Sequence, residues 1–195
     1  MKPFSQACEN NQAPILSQLK DFFADRKKVL EIGSGTGQHA VYFGGAMSAL
    51  QWQCGDLIGN HPGIRAWLDE AQLPNVLVPI EIDADQPGWN VGQYDAVFSA
   101  NTLHIMSWQQ VERLFQHLGE VLLPSAKLAV YGPFNYQGRF TCDSNARFDQ
   151  WLKQTAAHQG IRDFETVERL AQQIGLRLLA DKEMPANNRL LLWQK

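Results

Sequence analysis

From Val29 to His39 the chain reads Val29-Leu30-Glu31-Ile32-Gly33-Ser34-Gly35-Thr36-Gly37-Gln38-His39, an acid followed by three glycines at alternate positions. Glycine adopts positive φ without strain and lets a ligand approach the main chain with no Cβ in the way. An apolar strand before these residues and a helix after them make the glycines the turn ahead of a helix whose first N–H groups lack partners. In an open α/β sheet, ligands bind beyond the carboxyl end of such a first strand. Two more acids follow strand-like runs: Asp56, 19 residues after Gly37, and Asp83, with Asp85 close behind. At about that spacing in nucleotide-binding folds an acid accepts from ribose hydroxyls. A carboxylate at Asp83 can accept from the exocyclic amine of adenine. Asn101 and His104 lie after a further strand-like run, and His104 is the best-placed candidate general base.

Two cofactors could use the glycine turn. A nicotinamide dinucleotide calls for G-x-G-x-x-G or G-x-G-x-x-A directly after the strand. Counted from Gly33 the third position is Gln38, and the match fails; counted from Gly35 it is Ala40, but the strand then stops two residues early. Glu31 separates the two cofactors further. A carboxylate at the end of a central strand is costly unless something pairs with it. An ammonium group would supply that partner, whereas a pyrophosphate would be repelled. S-adenosylmethionine carries an ammonium and a sulfonium and no phosphate, so ligand charge favours it over NAD; Asp56 suits either. Without a ligand, Glu31 would bond to its own turn and Asp56 would close an Asx turn. His39 is expected in the first helical turn beside the cofactor rather than as a base.

These residues need strands and helices in alternation to bring them together. Val29–Ile32, Leu50–Cys54, Asn75–Ile82, Tyr94–Ala100 and Leu128–Tyr131 read as strands. Pro79 argues that its strand lies at an edge, because proline cannot donate to a ladder. Helical spacing of Ile15, Leu16, Leu19, Phe22 and Phe23 puts a helix after Pro14, which suits a first turn. Further helices are expected over residues ~37–47, from near Pro62, behind a capping box at Ser107-Trp108-Gln109-Gln110, and around 146–157 and 164–174. Leu176–Asp181 and Leu190–Trp193 read as a closing antiparallel pair around Pro185-Ala186-Asn187-Asn188. Alternating strands and helices make an α/β fold with a mostly parallel sheet. Trp52, Trp67, Trp108 and Trp151 are expected in core packing. The segment 132–145 is long for a strand–helix connection and carries Phe134, Tyr136 and Phe140, so it is expected to act as a lid over an apolar or aromatic acceptor.

Length and composition bound the rest. At 195 residues with 45% hydrophobic content the chain fits one domain, 1–195, with a sizeable core. Its 17 basic and 20 acidic residues and the absence of a basic run make nucleic acid a poor partner. Cys8, Cys54 and Cys142 form no CxxC pair, so neither a zinc site nor a disulfide framework is expected, and a reducing cytoplasm is the default. No apolar run is long enough for a membrane span.

The glycine turn with its flanking acids resembles class I S-adenosylmethionine-dependent methyltransferases, over residues ~28–195. More specific patterns run along the chain. They are Glu9-Asn10-Asn11-Gln12-Ala13-Pro14-Ile15-Leu16, Ser34 to His39, Trp52-Gln53 to Asp56, and Asn101-Thr102-Leu103-His104-Ile105. Tyr131-Gly132-Pro133 to Phe140-Thr141, Ser144-Asn145, Phe148-Asp149 and Met184-Pro185-Ala186-Asn187-Asn188 continue them. These resemble the domain of unknown function 938 (methyltransferase-like 26) family, with Asn10 standing where that family's first motif has Arg.

The resemblance implies a Rossmann-like, seven-stranded, mostly parallel sheet of order 3-2-1-4-5-7-6, closed by a C-terminal antiparallel hairpin, with helices on both faces. It implies that Glu31, Gly33, Gly35 and Gly37 surround the methionine part of the cofactor, with Ser34, Thr36 and His39 in the same site. Asp56 would take the ribose, Asp83 the adenine edge, and Asn101 the methionine end from the opposite side. Residues 1–27 would cap this site. Asn10, Tyr131, Phe134, Asn145, Asn187 and Asn188 are the candidates for the acceptor. The expected activity is methyl transfer from S-adenosylmethionine to a small-molecule acceptor, leaving S-adenosylhomocysteine, without metal, nucleic acid or membrane. The alternative is a non-catalytic module that holds the cofactor and acts through a protein partner.

Overall fold

In the computed structural model of the protein, residues 2–195 are described; Met1, the first residue of the expected capping segment, lies outside them. The glycine turn sits at the middle of a seven-stranded sheet. Its strands are β1 (Lys28–Ile32), β2 (Gln51–Asp56), β3 (Val76–Glu81), β4 (Tyr94–Ala100), β5 (Leu122–Gly132), β8 (Arg177–Met184) and β9 (Asn188–Gln194), in the order β3-β2-β1-β4-β5-β9-β8. Only β9 runs against its neighbours, pairing antiparallel with both β5 and β8. A separate two-residue ribbon joins β6 (Phe134–Asn135) to β7 (Arg162–Asp163). The order and the antiparallel close are those of the class I methyltransferase fold.

Pro79 lies on β3, at the sheet's edge, where the register against β2 slips between Gln53 and Gly55, so its missing N–H breaks no regular ladder. Two apolar layers cover the sheet. On one face Leu30, Ile32, Val97 and Leu128 meet α4 (Trp108–Val121) and α6 (Phe164–Gln173). On the other, Val29, Trp52 and Phe98 meet α1 (Gln6–Phe22), α2 (Gln38–Ala46) and α3 (His61–Ala71). Helix α4 starts at the expected capping box: Ser107 Oγ accepts from Gln110 N at 3.2 Å, and Gln110 Oε1 accepts from Ser107 N at 2.9 Å. Such a cap contributes about 1 kcal/mol.

Three local expectations are corrected. Helix α1 begins at Gln6, capped by Ser5, whose Oγ accepts from Cys8 N, so Pro14 falls inside it rather than in its first turn. The burial of Asn11, Ile15, Leu16 and Leu19 along one face outweighs the hydrogen bond that proline removes. Strand β5 opens at Leu122, six residues before the expected Leu128. Trp151 on α5 (Asp143–Thr155) is 57% exposed, stacked on Phe148 at 5.7 Å between ring centres rather than packed in the core.

Candidate functional site

A cavity of about 390 Å³ opens at the carboxyl ends of β1 to β4, within the size range of small-molecule sites. The turn after β1 gives it Gly33, Ser34, Gly35 and Thr36; the ends of β2 and β3 give Asp56 and Asp83; the segment after β4 gives Asn101 and Thr102. Ser5, Ala7 and Cys8 of the N-terminal segment close one side. That segment is held down by Gln38, which exchanges two hydrogen bonds with the Ser5 backbone, and by Trp67 Nε1, which donates to Pro3 O at 2.6 Å.

The turn has its shape because glycine occupies it. Gly33 has φ +76, and a Cβ there would run into the Thr102 hydroxyl. Gly35 has φ +57, with nothing nearer than 4.0 Å to where its Cβ would be, so its face is open to the cavity. Gly37 departs from expectation: it caps α2 and lies against α3, its Cβ position 3.1 Å from Ile64 Cα, and it is not on the cavity wall. Asp56 fixes the turn from below. Its Oδ2 accepts from Gly35 N at 2.6 Å, while Oδ1 accepts from Leu57 N and Asn60 Nδ2, both at 2.7 Å. Asp83 Oδ1 accepts from Asp85 N at 2.9 Å, and the Asp83 carbonyl accepts from Trp89 Nε1 at 2.8 Å. Asp85 is turned to α4, bound by Gln110 and Arg113. Apolar Leu57, Ile82, Ala84 and Met106 line the cavity together with Asp56 and Asp83.

Glu31 does not reach the wall. Alternation along β1 sends it into the aromatic layer with Trp52, and it is 1% exposed. Its Oε2 accepts from Ser34 Oγ at 2.9 Å and Trp52 Nε1 at 3.1 Å. Burial pushes its carboxyl up to about 7, against those two donors. The acid stands one hydroxyl behind the cavity, through Ser34.

His39 is on the wall in the first turn of α2, with Nε2 donating to Asn11 Oδ1 at 2.7 Å; burial pulls it down to about 4. His104 is not on the wall. It is 7% exposed, edge-on to Phe148 at 5.4 Å, and burial, helped by the Arg162 charge, pulls it down to about 4. It remains close to the wall: a Cβ on Gly132 would sit 3.9 Å from His104 Nδ1 and 3.8 Å from Asn101 Oδ1.

The acceptor candidates divide. Tyr131, Asn145, Asn187 and Asn188 lie outside the cavity: Asn145 Nδ2 donates to Asn187 O at 3.1 Å, and burial raises the Tyr131 phenol, with the Asn11 and Asn188 amides partly offsetting it. Ala186 and Asn187 in this turn both have φ +58. Asn10 faces solvent, accepting from Gln6, while its neighbour Asn11 points inward. Phe134 is 2% exposed and belongs to the core under α6, because a free aromatic ring gains more from burial there than over an open mouth. The segment 132–145 is accordingly pinned instead of forming a lid. Phe134–Asn135 pair with Arg162–Asp163, Tyr136 Oη donates to Asp181 Oδ2 at 2.7 Å, and no residue of the segment lines the cavity.

Asn11, Cys8, Trp89 and the role of Ser34 as a link to Glu31 were not legible beforehand. Asn11 alone carried a usable signal, lying four residues before buried Ile15 on one helix face. Among the described residues, no group of three or more His, Cys, Asp or Glu could hold a metal ion, and no helix is long and apolar enough to cross a membrane.

Solved structures of methyltransferases share this architecture. An O-methyltransferase family protein from Burkholderia thailandensis superposes with a TM-score of 0.83 at 17% identity, over 94% of this chain and 56% of that one. Human N-acetylserotonin methyltransferase, solved in complex with SAM, gives 0.80 at 14% identity over 97% and 53%. An O-methyltransferase family 2 protein from Planctomyces limnophilus, in complex with apigenin, gives 0.83 at 13% over 95% and 56%. The chain thus spans just over half the length of these proteins, and the likeness is one of fold. A match along the sequence itself is more specific: residues 2–195 fit the family described as "Protein of unknown function (DUF938)". With a methyltransferase architecture and a family match along its described length, this chain belongs to the DUF938 family.

Proposed function

We propose that this protein is an S-adenosylmethionine-dependent methyltransferase acting on a small-molecule acceptor. The observation that carries the proposal is the charge of the cavity: Asp56 and Asp83 stand on its wall, and no Lys or Arg does. A pyrophosphate would find no cation there, and the two acids on the wall would oppose it. A cationic nucleoside without phosphate fits. Gly33 and Gly35 would take its amino-acid part, Asp56 the ribose through the capacity left on Oδ2, and Asp83 with Leu57, Ile82 and Met106 the adenine.

When bound, S-adenosylmethionine supplies a methyl group activated on a positively charged sulfur. The chain's own contribution is to bind, orient and exclude water. Ser5, Ala7 and Cys8 keep solvent from one side, and Asn101 lines the wall as the residue that would face the methionine end. His104 is uncharged at neutral pH, so its nitrogen is free to take a proton, but a conjugate acid near 4 makes it a weak base. An acceptor that is nucleophilic without losing a proton first, or one whose proton leaves late, suits this arrangement. A cytoplasmic setting belongs to the proposal and is supported by three unpaired thiols. The weakness of His104 as a base also favours a second reading, a module that holds the cofactor without turning it over.

Titration calorimetry with S-adenosylhomocysteine and NADH in parallel tests the cofactor; binding of NADH alone would overturn the proposal. Methyl-labelled S-adenosylmethionine added to a cell extract tests the acceptor, with label expected in the small-molecule fraction. Label in protein or nucleic acid would overturn the acceptor class. No transfer despite cofactor binding would leave the second reading, and transfer lost on His104→Ala with binding kept would exclude it.

A further inference from the structure

Arg162 on β7 is half-buried and forms no ion pair with a carboxylate. Burial lowers its proton affinity, and the Asp149 charge only partly offsets this. Its guanidinium is spent on main-chain carbonyls instead. Nε donates to Leu103 O at 3.0 Å, and one terminal nitrogen donates to Met106 O and, at 3.1 Å, to His158 O. Desolvating a cation for neutral acceptors is costly, so something must require it there.

Leu103 and Met106 lie in the segment 101–106 that follows β4. The front of that segment, through Asn101, Thr102, Ile105 and Met106, walls the cavity. It starts from a turn: Asn101 has φ +56, a left-handed conformation that asparagine adopts more readily than other residues with a side chain. A second bond from behind joins the same brace, with Gly160 N donating to His104 O at 2.9 Å. The brace is itself anchored, since Asp149, 3% exposed, accepts from Ile161 N at 2.8 Å and from Lys153 Nζ at 2.6 Å. A Cβ on Gly160 would lie 3.0 Å from Asp149 Oδ1, so the chain passes close over that carboxylate.

We propose that Arg162 is a positioning residue for the cofactor cavity. Its planar fork spans the Leu103 and Met106 carbonyls and holds segment 101–106 in the curve that presents Asn101 and Thr102 to the ligand. Lysine, a single point donor, cannot span both carbonyls in the same way. The link to cofactor affinity rests on the methyltransferase reading; the link to the shape of the segment does not.

The test uses Arg162→Met, which keeps bulk without donors, and Arg162→Lys, with Leu178→Ala as a control for general destabilisation. Leu178 packs on the core from β8, away from the cavity. Hydrogen exchange without ligand is expected to quicken about tenfold or more at the amides of 102–106 in Arg162→Met. Its dissociation constant for S-adenosylhomocysteine is expected to rise about tenfold or more, Arg162→Lys to fall between, and Leu178→Ala to stay within about twofold of the parent. Unchanged exchange at 102–106 overturns the brace. A rise in the dissociation constant that Leu178→Ala shares at equal loss of melting temperature overturns the positioning role. Should the parent protein bind no S-adenosylhomocysteine, the methyltransferase reading fails, and exchange at 102–106 still decides the brace.

Discussion

Replacing Glu31 with Gln should make the protein more resistant to heat, and increasingly so as the pH rises. In the unfolded chain this carboxyl titrates near 4.5; in the fold, burial among Trp52 and its aromatic neighbours pushes it up to about 7. Between those values the native state keeps a proton that the unfolded state has already released. Stability from this group is therefore complete below about 4.5 and is lost as pH climbs through 7. The gap between the two values corresponds to about 3 kcal/mol at 1.36 kcal/mol per decade. For a chain of this size, that amounts to roughly 6–12 °C of melting temperature. Glutamine accepts from Ser34 and Trp52 as the carboxylate does, and the partner its amide nitrogen lacks costs the same at every pH. The assay is calorimetric melting of both proteins without ligand from pH 5 to 8. The difference in melting temperature, variant minus parent, should grow in favour of the variant across that interval. A difference constant with pH would refute a buried, proton-holding Glu31. With S-adenosylmethionine added, the parent should gain more at pH 8 than at pH 5, since a nearby cation favours the ionised acid, and the variant should lose that pH dependence.

Gly35→Val should cost about 1–2 kcal/mol, because valine must adopt φ +57. Its branched side chain would fill the open face of the turn, so calorimetry should show the dissociation constant for S-adenosylhomocysteine rising about tenfold or more with the circular dichroism of the fold retained. Asp56→Ala should cost roughly 2–4 kcal/mol, because Gly35 N, Leu57 N and Asn60 Nδ2 all lose their acceptor. A melting temperature within a degree or so of the parent would show that these three bonds do not hold the turn.

What could be foreseen from sequence was what neighbours along the chain determine. Ser107 and Gln110 form a cap between residues three apart, and Pro79 excludes a regular ladder wherever it stands, so α4 and the edge strand were readable. The glycine turn was readable because positive φ is a property of single residues. Pro14 misled because a local preference was overruled by a buried face that includes Asn11, four residues before Ile15 on the same helix. Phe134 and Trp151 exchanged their expected places, since which ring is covered depends on segments far away in sequence, α6 for the first and none for the second. Glu31 was found as a buried acid, but its direction was not: alternation along β1 determines which face it meets, and Ser34 then stands between it and the cavity. Arg162 carried no signal, because its partners are carbonyls, which every residue has.

The sheet's two outer strands also bear on handling. On β3, Val78 is 60% exposed beside Pro79 and the slipped register, while β8 displays Arg177, Asp181, Lys182 and Glu183. One border is interrupted by a proline and an irregular register, and the other is studded with charge. Neither is a template for further strands, so concentrated solutions should resist fibril growth, and Pro79→Thr is the change that would open the way to it.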